Sequence, residues 1–193
     1  MSSRAAILAA IRAARPTDNA PLPDPAEGLG NLIRAADLEE RFTAAVVAAG
    51  GTCLRGSLAA AQYQADGEEG RVWSNLTSVP HDDERGPAAM ADLALAIVRG
   101  SFGVAENGAI WVPIAPGQHR SHLFLAQRLL LLVDPADLVA DMHAAYARLG
   151  AATLPPYGVF IAGPSKTADI EQTLVLGAHG PCELTVLLVS PLN

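Results

Sequence analysis

Apolar positions along the chain change period several times, and each change marks a predicted element. Near the start, RAAILAAIRAA puts Ile7, Leu8 and Ile11 on one face at helical spacing. Arg12 interrupts the run, which predicts a short amphipathic helix and not a secretory signal. RPTDNAPLPDPAEG, with four prolines, reads as an extended linker. Helical spacing returns with Leu38, Phe42, Ala45, Val46 and Ala49. Asp37 and Glu40 stand at capping-box spacing before that face, and Gly50-Gly51 supplies a stop.

Beyond Gly51 the runs shorten. TCLRG reads as a strand, SLAAAQYQ as a helix and RVWSN as a strand, followed by the polar loop LTSVPHDDERGP. A helix is expected through MADLALAIVRG. In SFGVAENGAIWVP two apolar runs flank Asn107-Gly108, a pair that tolerates positive φ and so predicts a hairpin. After the loop IAPGQHRSH, LLLLV is a continuous run suited to a strand buried on both faces. Asp134 and Pro135 open a predicted helix as N-cap and first residue, with Leu138, Val139, Met142, Ala145, Tyr146 and Leu149 on its inner face and Gly150 at its close. VFIAG is a strand, GPSKTADIEQTLVLGAHGP supplies a helix, and ELTVLLV is a final buried strand. This alternation predicts a three-layer α/β domain with a mostly parallel sheet plus one β-hairpin. It spans 26–193 as one domain, behind a helix and proline-rich linker at 1–25.

Composition narrows the function. Half of the 193 residues are hydrophobic and 17% are charged, as in a globular domain with a core that needs no staples. Thirteen basic residues against twenty acidic ones, a formal charge of −7, argue against a nucleic-acid surface. Cys53 and Cys182 lie far apart and outside any CxxC pair. The chain therefore has no ligand set of its own for an iron–sulfur cluster or structural zinc, and reduced thiols in a cytoplasmic protein are expected. No apolar run approaches the roughly 20 residues that span a bilayer, so no membrane association is expected.

Candidate chemistry concentrates in two stretches. In GPSKTADIEQTLVLGAHGP, Gly163-Pro164-Ser165 follows a strand and precedes a predicted helix. N–H groups exposed at a helix start attract anions, and Ser165, Lys166 and Thr167 add donors. A lysine there opposes the helix dipole, and an anionic ligand would relieve it. The plainer reading is a capped helix, with Ser165 or Thr167 as N-cap and Asp169 and Glu171 offsetting the dipole. Ser165 stands where a Walker A loop requires glycine. In the second stretch, Glu106 precedes the turn, where a carboxylate serves as nucleophile, general base or hydroxyl ligand, or simply faces solvent at a strand end. His179 is a candidate base or anion donor and equally a helix cap. The His119-x-x-His122 pair lacks a third nearby ligand, and His81 with Asp82, Asp83 and Glu84 repeats no ligand pattern, so no metal site is expected.

FGVAENGAI, the downstream strand and helix, GPSKTADIEQTLVLGAHGP and the opening RAAILAAIRAA together resemble the LUD-domain family, of the lactate-utilization protein C type. The resemblance is detailed from about Met90 to the C-terminus. It implies an α/β/α sandwich similar to the ribose-5-phosphate isomerase and CoA transferase group. It also implies a part in oxidising L-lactate to pyruvate beside partner proteins that carry the iron–sulfur clusters. Under it, Glu106, Ser165, Lys166, Thr167, Asp169 and His179, with Asn107, Gly108 and Gly163, surround one pocket for a small anionic metabolite. Lys166 supplies charge, and Glu106 or His179 moves a proton. No GxGxxG dinucleotide fingerprint appears, so electrons would pass to a partner, and no cofactor of the chain itself is named. Relatives usually read Ala-Glu-Thr-Gly-Thr where this chain has Ala105-Glu106-Asn107-Gly108-Ala109, and both hydroxyls are lost. A second reading takes Glu106–Gly108 as resembling the active-site turn of CoA transferases, giving a stand-alone CoA transferase- or sugar-phosphate isomerase-like enzyme that uses Glu106. A third is a purely structural docking subunit.

Overall fold

A computed structural model describes residues 3–14, 37–78, 90, 92–115, 120–168 and 173–190. The proline-rich linker, His81 to Glu84, His119 and Asp169 lie outside these residues. The chain divides into two compact units, Met1–Leu32 and Ile33–Asn193. The first contains helix α1 (Ser3–Ala13), at the place its spacing predicts.

In the second unit the further helices are α2 (Leu38–Ala48), α3 (Leu58–Asp66), α4 (His122–Leu125) and α5 (Met142–Gly150). The strands are β1 (Thr52–Gly56), β2 (Arg71–Ser74), β3 (Leu93–Arg99), β4 (Phe102–Val104), β5 (Ala109–Ile114), β6 (Arg128–Val133), β7 (Leu138–Val139), β8 (Tyr157–Ile161), β9 (Lys166–Thr167), β10 (Val175–Leu176) and β11 (Glu183–Val189). Five strands form a wholly parallel sheet in the order β1-β11-β6-β3-β2. The predicted hairpin, β4–β5, lies inside a second, mixed sheet of order β7-β4-β5-β8.

Burial on both faces makes the parallel strands near-continuous apolar runs. On one face Leu95, Ile97, Leu130 and Leu132 pack with Ala61 and Ala65 of α3. On the other, Ala96, Val98, Leu129 and Leu131 meet Ile110, Val112 and Ile114 of the second sheet and Phe42 and Val46 of α2. The outer face of the second sheet is covered by α5 through Ala145, against Phe102 and Val104.

Helix α2 ends as Gly50-Gly51 foretells. Gly50 N–H donates to the Val47 carbonyl and Gly51 N–H to that of Val46, both at 2.9 Å, with Gly50 at φ +86°, which together make a Schellman close. Its predicted capping box is not formed. Asp37 has φ −104° and ψ 1°, not the extended backbone of an N-cap, and its side chain makes no cap bond.

Two further elements differ from expectation, while the hairpin forms as expected. The segment expected as a helix through MADLALAIVRG holds strand β3, in which Leu93 and Leu95 to Val98 are all buried. With no polar face to reveal a period of two, the run reads equally as a buried helix. The hairpin turns on four residues, Ala105 to Gly108, closed by Gly108 N–H to the Val104 carbonyl at 2.9 Å. The expected helix from Asp134 is split. Asp134 does cap, accepting from Ala136 N–H at 2.9 Å, but only a single 3-10 turn, Pro135–Asp137. Leu138 and Val139 then pair as β7 with Gly103 and Val104, and helix begins afresh at Met142 under Asp141 as N-cap.

Candidate functional site

The signature GPSKTADIEQTLVLGAHGP forms no helix among its described residues. Lys166 and Thr167 pair with Leu176 and Val175 in an antiparallel ribbon. Ser165 N–H donates to the Pro181 carbonyl at 2.9 Å, and Gly177 N–H donates to the Ser165 carbonyl at 3.0 Å. A Cβ on Gly180 would lie 3.0 Å from that of Ser165, so the Gly-Pro-Ser and His-Gly-Pro ends of the motif are in contact. The helix-start argument for an anion site therefore fails for Ser165, Lys166 and Thr167. The backbone N–H of Ser165 is already bonded, and Lys166 and Thr167 belong to a strand.

Two glycines hold both motifs on one helix. A Cβ on Gly163, at φ +72°, would overlap the Ala49 carbonyl oxygen, and one on Gly108, at φ +70°, would lie 2.6 Å from Val46 N. Strand β5 runs antiparallel to β8 with Ile110 opposite Ile161, and extending that register sets Gly108 opposite Gly163. Neighbouring strands are about 4.8 Å apart. Three residues of helix, Val46 to Ala49, rise about 4.5 Å. The match lets both strand ends rest side by side on the last turn of α2.

That docking assigns the two charged candidates to helix ends. The Lys166 ammonium lies beside Gly50, with Nζ 3.0 Å from where a Gly50 Cβ would stand, at the C-terminus of α2, where a cation complements the dipole. The exposed Glu106 accepts from Met142 N–H through Oε2 at 3.0 Å, at the start of α5, where a carboxylate complements the opposite pole. Asp141 caps the same turn, accepting from Ala144 N–H at 2.8 Å. Glu106→Ala is expected to lower stability by about 1 kcal/mol, and Glu106→Gln by less because it keeps the acceptor. Urea denaturation measures both, and an unchanged midpoint for the alanine variant contradicts the capping role.

Gly163, Ser165 and His179 line a cleft of about 250 Å³ with Phe124, Ile161 and Pro181. Ser165 is half-buried and His179 exposed. Glu106, Asn107, Gly108, Lys166 and Thr167 are not among its lining residues. Asn107 Oδ1 accepts from Ala109 N–H at 3.0 Å, shaping the hairpin tip. The cleft lies over the amino ends of parallel strands, because Pro181 leads into β11 and the neighbouring Cys182 N–H donates to the Gln127 carbonyl just before β6. Gln127 carried no motif, and only its bonds reveal it.

His122 is fully buried and stacks on Trp73, with ring centroids 3.8 Å apart and planes 13° apart, which makes it a core residue. Among the described residues no group of three or more His, Cys, Asp or Glu can hold a metal ion. No helix among them is long and apolar enough to cross a membrane. Cys53 is half-buried beside the Thr43 hydroxyl at 3.6 Å. Burial raises its pKa above the ordinary thiol value; the Thr43 bond opposes that shift and the Glu39 charge adds to it. Cys182 is exposed.

A parallel five-stranded sheet, backed by a mixed sheet whose strand ends seat a glycine-bounded signature on one helix, defines an α/β protein of one recognisable class. The LUD domain matches residues 26–189, and the chain belongs to that family. It is 34% identical over 137 residues to "Lactate utilization protein C" of Exiguobacterium sp., covering 63% of this chain and 57% of that one. It is 30% identical over 122 residues to "Lactate utilization protein C" of Shouchella clausii, covering 61% and 51%. The matched region thus spans a little over half the length of these relatives. A crystal structure of a DUF162 family protein from Deinococcus radiodurans has the same fold, with a TM-score of 0.56 at 17% identity, covering 82% of this chain and 99% of that one.

Proposed function

We propose that this protein acts in lactate utilisation, as a subunit of a system that oxidises L-lactate to pyruvate with iron–sulfur partner proteins. The observation that carries this reading is the joint similarity to two proteins named for lactate utilisation within the LUD family. The Ser165–His179 cleft is the site we assign to a small carboxylate. Ser165 Oγ can donate one hydrogen bond to it, and the exposed His179 imidazole can donate another or exchange the hydroxyl proton. A three-carbon acid fits a cleft of 250 Å³. The oxidation releases two electrons and two protons; clusters on the partner proteins would accept the electrons, and the protons from the hydroxyl and from Cα would leave through His179 and solvent. Glu106 is engaged at the start of α5, and this weighs against its use as a nucleophile toward a CoA ester.

The test is growth of the producing organism on L-lactate after deletion of this chain. Loss of growth on lactate, with normal growth on pyruvate and rescue by the intact chain, is the expected result. Ser165→Phe, which fills the cleft, is expected to cut lactate consumption about tenfold or more at equal protein level, as loss of substrate positioning does. Undiminished growth of the deletion strain on lactate would end the proposal.

A further inference from the structure

The two edges of the parallel sheet are finished differently. At one end of the strand order, Val72, Trp73 and Ser74 of β2 are buried. At the other, Thr52, Leu54, Arg55 and Gly56 of β1 are exposed, and Cys53 is half-buried. Among the described residues β1 pairs with β11 alone. Every second residue of such a strand turns its N–H and C=O away from the sheet, which makes the edge a template for another strand. Natural edges are commonly blunted by proline, lysine, a bulge or a covering segment. Strand β1, TCLRG, has no proline or lysine, and its five-residue register with β11 runs without a shift. Its one charge is folded back onto α2: Arg55 donates from Nε to Glu39 Oε1 at 2.6 Å and from Nη2 to Oε2.

Apolar surface lies on both sides of this edge. Helix α2 runs antiparallel along one face of β1, since Thr43 meets Cys53 and Glu39 meets Arg55. Glu39, Thr43 and Val47 stand at four-residue spacing and form one ridge, at whose end Val47 is 58% exposed. On the opposite face Leu54 is 52% exposed and, with Ala60 and Leu187, lines a groove of about 220 Å³ beside α3. The five residues of β1 and the eleven of α2 are each about 17 Å long. Three layers about 10 Å apart give this flank a height of roughly 30 Å, and so about 500 Å² in projection. Surface relief brings the accessible area toward the roughly 800 Å² per partner of a standard interface.

The flank is complementary to itself. Antiparallel pairing about Leu54 sets Leu54 against Leu54 of a second copy, Cys53 against Arg55 and Thr52 against Gly56, so every residue of β1 finds a partner. The two Leu54 side chains then meet beside the α3 grooves. The two α2 helices run antiparallel, with Glu39 and Glu40 of each copy at opposite ends of the contact, and like charges stay apart. We propose that the chain forms a twofold dimer through β1 and α2, which joins two five-stranded sheets into one of ten strands. The proposal does not rest on the cleft assigned to the small carboxylate.

Sedimentation equilibrium of the full chain tests it. A mass near 40 kDa, twice the 20.0 kDa of one chain, is expected at about 10 μM. Leu54→Lys and Val47→Lys put charges on the two faces of the contact, and each should weaken association by about tenfold or more. Both residues are exposed, and circular dichroism verifies that each variant keeps its fold. The register is read by Leu54→Cys in a Cys53→Ser, Cys182→Ser background. Opposed Cα atoms in an antiparallel pair stand about 4.5–5.5 Å apart, within disulfide reach, so oxidation should yield a crosslinked dimer. Tyr146→Cys, exposed on α5, should not crosslink in the same background. A chain that stays monomeric at about 100 μM leaves the edge to a partner other than its own copy and overturns the proposal. A dimer that ignores both lysine substitutions, or that Leu54→Cys fails to crosslink, overturns it as well.

Discussion

Phe42→Ala is expected to destabilise the second unit by about 3–5 kcal/mol, the range for truncating a buried phenylalanine. For a chain of this size that corresponds to a fall in Tm of roughly 6–20 °C. Phe42 has no exposed surface, and it belongs to the cluster that joins α2 to both sheets. Its ring edge already limits what its neighbour can be, since a Cβ on Gly103 would lie 2.8 Å from Phe42 Cε2. Removing the ring takes out the wedge between α2 and β4, and the last turn of α2 is also the seat of Gly108 and Gly163. Thermal melting with urea denaturation reads the effect. A loss below about 1 kcal/mol would mean that α2 is not held by this contact.

Gly163→Ala is expected to cost about 3 kcal/mol. A left-handed backbone costs an L residue about 1–2 kcal/mol, and the added methyl must also displace the Ala49 carbonyl at the helix end. The loss should come with a disturbed cleft, because the next two residues lead directly to Ser165. Gly150→Ala is the matched control. Nothing lies within 4 Å of its Cβ position, and the residue closes α5, so alanine there is expected to stabilise by about 0.5–1 kcal/mol. Equal effects of the two substitutions would refute the close approach of the signature turn to α2.

The two expectations differ in how visible they were in the residue pattern. Phe42 lay on a face marked by i, i+4 spacing, and α2 forms with that face buried. Gly163 showed only as the opening of a Gly-Pro-Ser turn, and nothing local says what its missing side chain makes room for. The same division runs through the candidate site. Ser165 and His179 stand fourteen residues apart in one motif, and the structure brings them to one cleft. Glu106 and Lys166 were joined to that pocket through the family resemblance. In the folded chain each meets a helix end instead, one at the start of α5 and the other at the close of α2.

Local physics was thus sufficient wherever an element is decided by its own period and its own stops. The strands TCLRG, RVWSN, LLLLV, VFIAG and ELTVLLV, the helix face around Phe42 with its Gly50-Gly51 close, and the hairpin around Gly108 all follow from alternation, burial and turn chemistry. Tertiary pairing decided the rest. Leu138 and Val139 carry helical spacing but become β7 because β4 offers an open edge. Lys166 and Thr167 become a strand because Val175 and Leu176 return beside them. The parallel-sheet run LALAIV is apolar at every position, so its period is erased by burial on both sides. Hydrogen bonds between segments distant in sequence outweigh local preference in these places, and a one-dimensional pattern holds no record of which edge will be available.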